Sequence, residues 1–251
     1  MRRLRSLVPV LVGLAVLLIA WQAIVVIGGY PSFILPGPGQ VIARFVTGWV
    51  DGPLPSNTWT TLVEILLGFA AGALLGVGAG ALLARSRRAS LVLSPYLVAA
   101  ESTPILALAP LIALWFGDGL VSKVVICALI VFFPVTVSTM VGLRGVDRRL
   151  IELGRSLRAT RRQMLATIEL PAALPQILGG MRVGVTLAVV GAIIGEWAGA
   201  KGGLGWLINV ARGSTFDTPL LFATLLTIAL LGVTLYGLMT LVERRLVGVR
   251  G

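Results

Sequence analysis

Apolar runs of about 20 residues, the length that crosses a hydrocarbon core of about 30 Å, recur along this chain and leave few folds open to it. Six such runs are expected to be spans, at about 7–28, 59–84, 91–115, 120–142, 175–197 and 219–242. Taken as about 24 helical residues at ~1.5 Å each, the second reaches about 36 Å, enough to cross with some tilt. The runs are too long and too evenly apolar for barrel strands, so helices must satisfy the backbone. Only 12% of the 251 residues are charged, half of the roughly 25% usual for a soluble domain, which points to lipid as the solvent. The net charge of +11 could suggest a nucleic-acid partner. Its distribution argues against one, because the arginines cluster between the apolar runs.

The start, "MRRLRSLVPVLVGLAVLLIAWQAIVV", imitates a secretory signal. Its apolar run continues to Ile27, longer than a signal core, and no A-x-A site follows, so it reads as an uncleaved first span. Cys127 is the only cysteine and histidine is absent. No internal disulfide can form, and the commonest metal ligand and general base is missing. No catalytic residue, metal ligand or cofactor is expected in this chain.

Arginine sets the expected orientation. With a cytoplasmic N-terminus, the inner side receives Arg2, Arg3, Arg5, Arg85, Arg87, Arg88, Arg144, Arg148, Arg149, Arg155, Arg158, Arg161, Arg162, Arg244, Arg245 and Arg250. The outer side keeps Arg44, Lys123, Lys201 and Arg212. Both termini are thus expected in the cytoplasm, with the chain multi-pass in the cell membrane.

Between the first two spans, Val41, Ile42, Phe45, Val46 and Trp49 fall on one helical face between proline pairs 36/38 and 53/55. That pattern predicts a short helix along the outer interface, serving as a packed connector. Glycine recurs every fourth residue in the second span (Gly68, Gly72, Gly76, Gly80), and the fifth carries Gly180, Gly184 and Ala188, then Gly191, Gly195 and Gly199. Such smooth stripes predict close helix packing. After the fifth span, "GAKGGLGWLINVARGSTFDTP" holds an apolar segment too short to cross, expected as a partly re-entrant outer helix.

Chemistry-bearing motifs are few. "GAKGGLGW" is not a phosphate loop, since no Ser or Thr follows Lys201, so this chain is not expected to hydrolyse ATP. An acid near the centre of a span costs about 2.5–3.5 kcal/mol on insertion scales and tends to face a polar cavity or a partner. Glu101 lies deepest, in "AAESTPILALAP", where Pro104 and Pro110 should interrupt the helix and Ser102 and Thr103 should line the break. Glu101, Ser102, Thr103 and Glu196 are therefore candidate pathway residues, with pairing of Glu101 to Arg182 or to another subunit the structural alternative. Glu64 and Glu196 also fit a plainer reading, as acids at the membrane interfaces.

One inner loop remains, "ELGRSLRATRRQMLATIELP" at 152–171, charged and long between apolar spans. It resembles the cytoplasmic signature of binding-protein-dependent ATP-binding-cassette importers: E-A-A, three residues, G, nine residues, I-x-L-P. Glu152, Ile168, Leu170 and Pro171 match at that spacing. Leu153 and Gly154 replace the paired alanines, and Arg158 stands where glycine is usual. "LPGPGQVIARF", "TPILALAPLIALWFGDGLVSKV", "LPAALPQILGGMRVG" and "GEWAGAKGGLGWLI" extend the likeness over about residues 30–240. It is nearest to the nitrate, sulfonate, taurine and thiamine-precursor branch.

The resemblance implies an all-α polytopic bundle of six transmembrane helices, the type I importer permease fold. Residues 1–251 would form one permease domain with a coupling segment at 147–171. Two short helices, 147–157 and 160–169, would bend near Arg158–Thr160, and Pro171 would end the second. Glu152, Gly154, Arg158, Ala159, Met164, Leu165, Ile168, Leu170 and Pro171 would couple the chain to a separate ATPase subunit, with Met164, Leu165 and Ile168 as the apolar face. ATP and magnesium would belong to that subunit. An extracytoplasmic binding protein would deliver a small solute to residues 29–57 and 198–218, and a second permease copy would complete the pathway. A sulfonate, an oxyanion such as nitrate, and a pyrimidine or flavin-like vitamin precursor are the open substrates. An ion-coupled transporter or channel with Glu101 or Glu196 as proton site is the competing reading, although no inverted repeat accompanies it.

Overall fold

The structure is a computed structural model that describes residues 2–248, apart from the side chains of residues 2–8, 10, 11 and 98. Arg250 and the side chains of Arg2, Arg3 and Arg5, assigned above to the inner face, lie outside the described residues. Every regular element among those residues is helical: α1 (Arg2–Gly28), α2 (Pro38–Val50), α3 (Leu54–Arg85), α4 (Arg87–Glu101), α5 (Ile105–Phe116), α6 (Leu120–Arg144), α7 (Arg148–Ser156), α8 (Arg161–Met164), a π-helical turn (Leu165–Glu169), α9 (Leu170–Trp197), α10 (Leu204–Gly213) and α11 (Thr218–Val247).

Against six expected spans, four stretches are long and apolar enough to cross a membrane: Leu54–Arg85, Leu120–Arg144, Arg161–Trp197 and Thr218–Val247. The α4–α5 pair makes a fifth if its two limbs are one broken span, and α1 adds the shorter apolar stretch Val12–Gly28. The third expected span is not one rod, because its two limbs meet at 93°. Of the two prolines expected to interrupt it, only one does. Pro104 precedes α5 in an extended conformation (φ −68°, ψ 108°), whereas Pro110 lies inside α5 without ending it. A proline disfavours helical geometry in the residue before it, so the turn falls at Thr103–Pro104. The Thr103 hydroxyl donates to the Ala99 carbonyl at 3.1 Å, supplying a bond that the interrupted ladder lacks.

The bundle is built around α6, which lies between α3 and α9. In lipid nothing apolar is gained by moving a leucine from tails to protein, so helix contact depends on how closely backbones approach. The glycine stripe of α3 makes that approach. A Cβ at Gly72 would lie 2.6 Å from the Ala128 carbonyl oxygen of α6, and one at Gly80 would lie 2.5 Å from that of Thr136. On the other face of α6, a Cβ at Gly180 of α9 would collide with Ser138. Ile65, Ala73, Cys127, Val131, Val135, Val185, Ala188, Val189, Ala192 and Leu235 form the resulting core. Leu74, Leu75 and Val233 are left exposed to lipid on α3 and α11.

At one end of the bundle, α2 and α10 close over the start of α11. Leu54, Leu204, Leu207, Ala211 and Leu220 pack there, with Phe45 of α2 against them. The α2 helix is thus a packed connector. It is tied to the first turn of α11 by an Arg44–Asp217 ion pair at 2.8 Å, while the Asp217 carboxylate also accepts from the Leu220 N–H at 2.9 Å. At the opposite end, the Arg144 guanidinium donates to the Leu83 carbonyl at 2.8 Å, capping the last turn of α3 where the helix dipole is negative.

Candidate functional site

The inner loop is ordered by its own polar side chains. Asp147 caps α7, its carboxylate accepting from the Arg149 N–H at 2.9 Å. The helix ends in a Schellman turn: the Arg158 N–H donates to the Arg155 carbonyl at 2.9 Å and the Ala159 N–H to that of Gly154 at 3.0 Å. Such a turn needs a left-handed residue at its hinge, the usual place for glycine. Arg158 fills it at φ +55°. Thr160 then opens α8 with a capping box. Its N–H donates to the Gln163 side-chain oxygen at 2.8 Å, and the Gln163 N–H donates back to the Thr160 hydroxyl at 3.4 Å. The expected bend at 158–160 is present.

Pro171 behaves otherwise than expected. It ends nothing: Arg161–Trp197 is one continuous stretch of 37 residues. Proline cannot donate to the residue four before it, and its ring crowds that carbonyl. The chain widens instead into the π turn Leu165–Glu169, with the Leu170 N–H bonded to the Leu165 carbonyl, and α9 runs on. Residues Arg161–Trp197 are thus one helical stretch with a wide turn in it.

The apolar face also lies elsewhere than expected. Met164 is 8% exposed and sits with Ile168 against Gly154: a Cβ there would meet Met164 Cε at 2.7 Å and Ile168 Cδ1 at 2.8 Å. These residues glue α7 to α8 inside the chain. Facing outward are Leu150, Leu153 and Leu157 at 43%, 56% and 74% exposure, one helical stripe that sequence inspection passed over. Around it, Glu152, Arg155, Arg158, Arg161 and Arg162 are exposed; Leu170 and Pro171 are exposed on α9, while Ala159 and Leu165 are half-buried. Glu169 reaches Arg85 at 4.0 Å, joining the loop to the inner end of α3.

Among the candidate pathway residues, Glu101 and Glu196 part company. Glu101 is exposed and borders a cavity of about 130 Å³ with Ser94, Leu97, Phe133, Thr136, Val137 and Met140. Ser102 and Thr103 are exposed beside it at the α4–α5 break. Arg182 is not its partner, for it pairs with Glu243 at 3.3 Å and lies over the Tyr236 ring at 5.7 Å. Glu196 and Glu64 are buried within the protein, at 1% and 3% exposure. Glu196 Oε1 accepts from the Thr61 hydroxyl at 2.6 Å and Oε2 from the Gly205 N–H, so its oxygens are engaged within the protein.

Residues 72–248 match the sequence profile of the binding-protein-dependent transport system inner membrane component. The riboflavin transport system permease protein of Chloroflexus aurantiacus is 49% identical over 94% of this chain and 88% of its own length. The formylaminopyrimidine transport permease protein of Halalkalibacterium halodurans is 35% identical over 92% and 91%. Among solved structures, an inward-facing methionine ABC transporter chain shares the fold, with a TM-score of 0.69 at 20% identity over 77% of this chain and 95% of that one.

Proposed function

This chain belongs to the binding-protein-dependent inner membrane components and is a permease subunit of an ATP-binding-cassette importer, and from that premise we propose how it is driven and what it carries. The exposed stripe Leu150–Leu153–Leu157, ringed by arginines and packed through Gly154 onto Met164 and Ile168 of the stretch that runs on into α9, docks in a cleft of a separate ATPase subunit. Apolar knobs supply the contact area and the guanidiniums supply charge-assisted hydrogen bonds to acidic groups around the cleft. ATP and its magnesium stay on that subunit. Closure of two ATPase subunits moves two docked loops, one on each permease of a dimer, and the π-turn lever rocks α9 against α6. The glycine-smoothed faces between α3, α6 and α9 permit that pivot. Both termini face the cytoplasm, and a binding protein delivers solute to α2, α10 and the loops beside them.

For the cargo, we propose a flavin-like or pyrimidine heterocycle. The riboflavin permease relative supports this, and so does the lining at Glu101. An acid beside the Phe133 ring offers stacking and hydrogen bonding to a heterocycle and repels a sulfonate or nitrate. Reconstituted with its ATPase and binding protein, the chain should take up labelled riboflavin with ATP and not taurine. Glu152→Lys should insert normally yet abolish that uptake. Riboflavin uptake driven by a proton gradient without the ATPase would overturn the coupling. Taurine uptake alone would overturn the cargo.

A further inference from the structure

The end of the bundle beneath α10 contains a buried polar cluster that has no part in the coupling or cargo contacts proposed above. Four elements meet in it. From α3 come Asn57 (7% exposed), Thr61 (0%) and Glu64 (3%), from α6 Lys123 (2%), and from α9 Glu196 (1%). The fourth contribution is backbone, from the turn that opens α10. Its N–H groups are taken in order: Gly203 donates to Asn57 Oδ1 at 2.7 Å, Leu204 to the Thr61 hydroxyl at 2.8 Å, and Gly205 to Glu196 Oε2. These amides have no partner within their own helix, and here side chains of α3 and α9 satisfy all three. Glycine is required at the contact, since a Cβ at Gly203 would collide with the Glu196 carboxylate.

The charges around this contact do not balance if every group is ionised. Glu64 lies against Glu196 within hydrogen-bonding reach. Its Oε2 is buried and has no partner. Lys123 faces both acids, but its ammonium donates to the Asp118 carbonyl. The Asp118 carboxylate is exposed, and the Cys127 thiol, which also faces the two acids, is turned to the Ala188 carbonyl at 3.5 Å. Two buried carboxylates side by side with one cation leave an uncompensated negative charge. Two oxygens at hydrogen-bonding range, both acceptors when ionised, call for a hydrogen between them.

We propose that Glu64 and Glu196 share one proton: Glu64 is the neutral acid donating to the Glu196 carboxylate, and the pair acts as a clasp that seats α10 on α3 and α9. Glu196 then carries the single negative charge, opposite Lys123 and at the positive end of α10, with Gly205, Thr61 and the Glu64 proton on its oxygens. The proton is a fixed structural part and is not exchanged for cargo. Glu64 and Glu196 are positioning residues. They make the outer helix, on the face where solute arrives, move as one body with the spans beneath it. This holds whatever the cargo and whether or not the loop at 152–171 docks as proposed.

Infrared spectroscopy of the full chain in lipid tests the assignment directly. At neutral pH the wild type should show the C=O stretch of a protonated carboxylic acid. Glu64→Gln, whose amide can donate the same hydrogen bond, should lose that band, and Glu101→Gln should keep it. Amide hydrogen exchange of Gly203–Gly205 should stay within about twofold of wild type in Glu64→Gln and rise at least tenfold in Glu196→Leu, which fills similar space without an acceptor. A wild type lacking the band, or a band that survives Glu64→Gln, would overturn the shared proton. Unchanged exchange in Glu196→Leu would overturn the clasp.

Discussion

Arg158 is the position at which the chain departs most visibly from its family's pattern, and its backbone explains what the pattern asks for. The residue closes a Schellman turn at φ +55°, a conformation that costs an L-residue with a Cβ roughly 1–2 kcal/mol. Glycine is usual there because the turn is left-handed. Arg158→Gly should therefore raise the thermal midpoint of the purified chain, by the equivalent of about 1 kcal/mol less the unfolded-state entropy of glycine. Uptake should be retained. A fall in midpoint would mean that the guanidinium contributes more than the turn loses. From the sequence the substitution was visible but its meaning was not, because handedness is set by two hydrogen bonds to residues 154 and 155.

Among the elements, the α3–α6 contact tests whether glycine spacing was read correctly. Gly72 and Gly78 lie on the same helix, six residues apart. A Cβ at Gly72 meets backbone oxygen at 2.6 Å, and one at Gly78 meets nothing within 4 Å. Gly72→Ala should destabilise by about 1–3 kcal/mol, as overpacking against atoms that cannot rotate away does. Gly78→Ala should be neutral or slightly stabilising. Equal midpoints for the two in a thermal melt would refute the packing. The glycine period was legible because a four-residue repeat marks one face regardless of the partner. Two features were not. Which of Pro104 and Pro110 would break the third span depends on what supports each proline, and the apolar face of the loop at 147–171 depends on how α8 folds back. Met164 and Ile168 look presentable on paper, but Gly154 makes room for them inside. That leaves Leu150, Leu153 and Leu157 to face outward.

For the molecule as a whole, the long stretch from Arg161 to Trp197 is the organising part. At about 1.5 Å per residue its 37 residues reach roughly 55 Å, from the inner loop to the buried Glu196. Whatever moves the loop moves the floor of the outer helix. That the chain is a bundle of long apolar helices was readable because lipid imposes a length rule on any chain that crosses it. The Glu64–Glu196 contact was not, because it joins two spans far apart in sequence, and each acid taken alone suits a membrane interface. The central claim is that Leu150, Leu153 and Leu157 bear on an ATPase. Cys127 is the only native cysteine and is buried, so Leu153→Cys presents a single reactive thiol. In the assembled transporter, a thiol crosslinker at that site should capture the ATPase subunit and, held closed, should stop ATP-driven uptake. A transporter that imports normally while Leu153→Cys reacts only with water-soluble reagents, in every nucleotide state, would contradict the account.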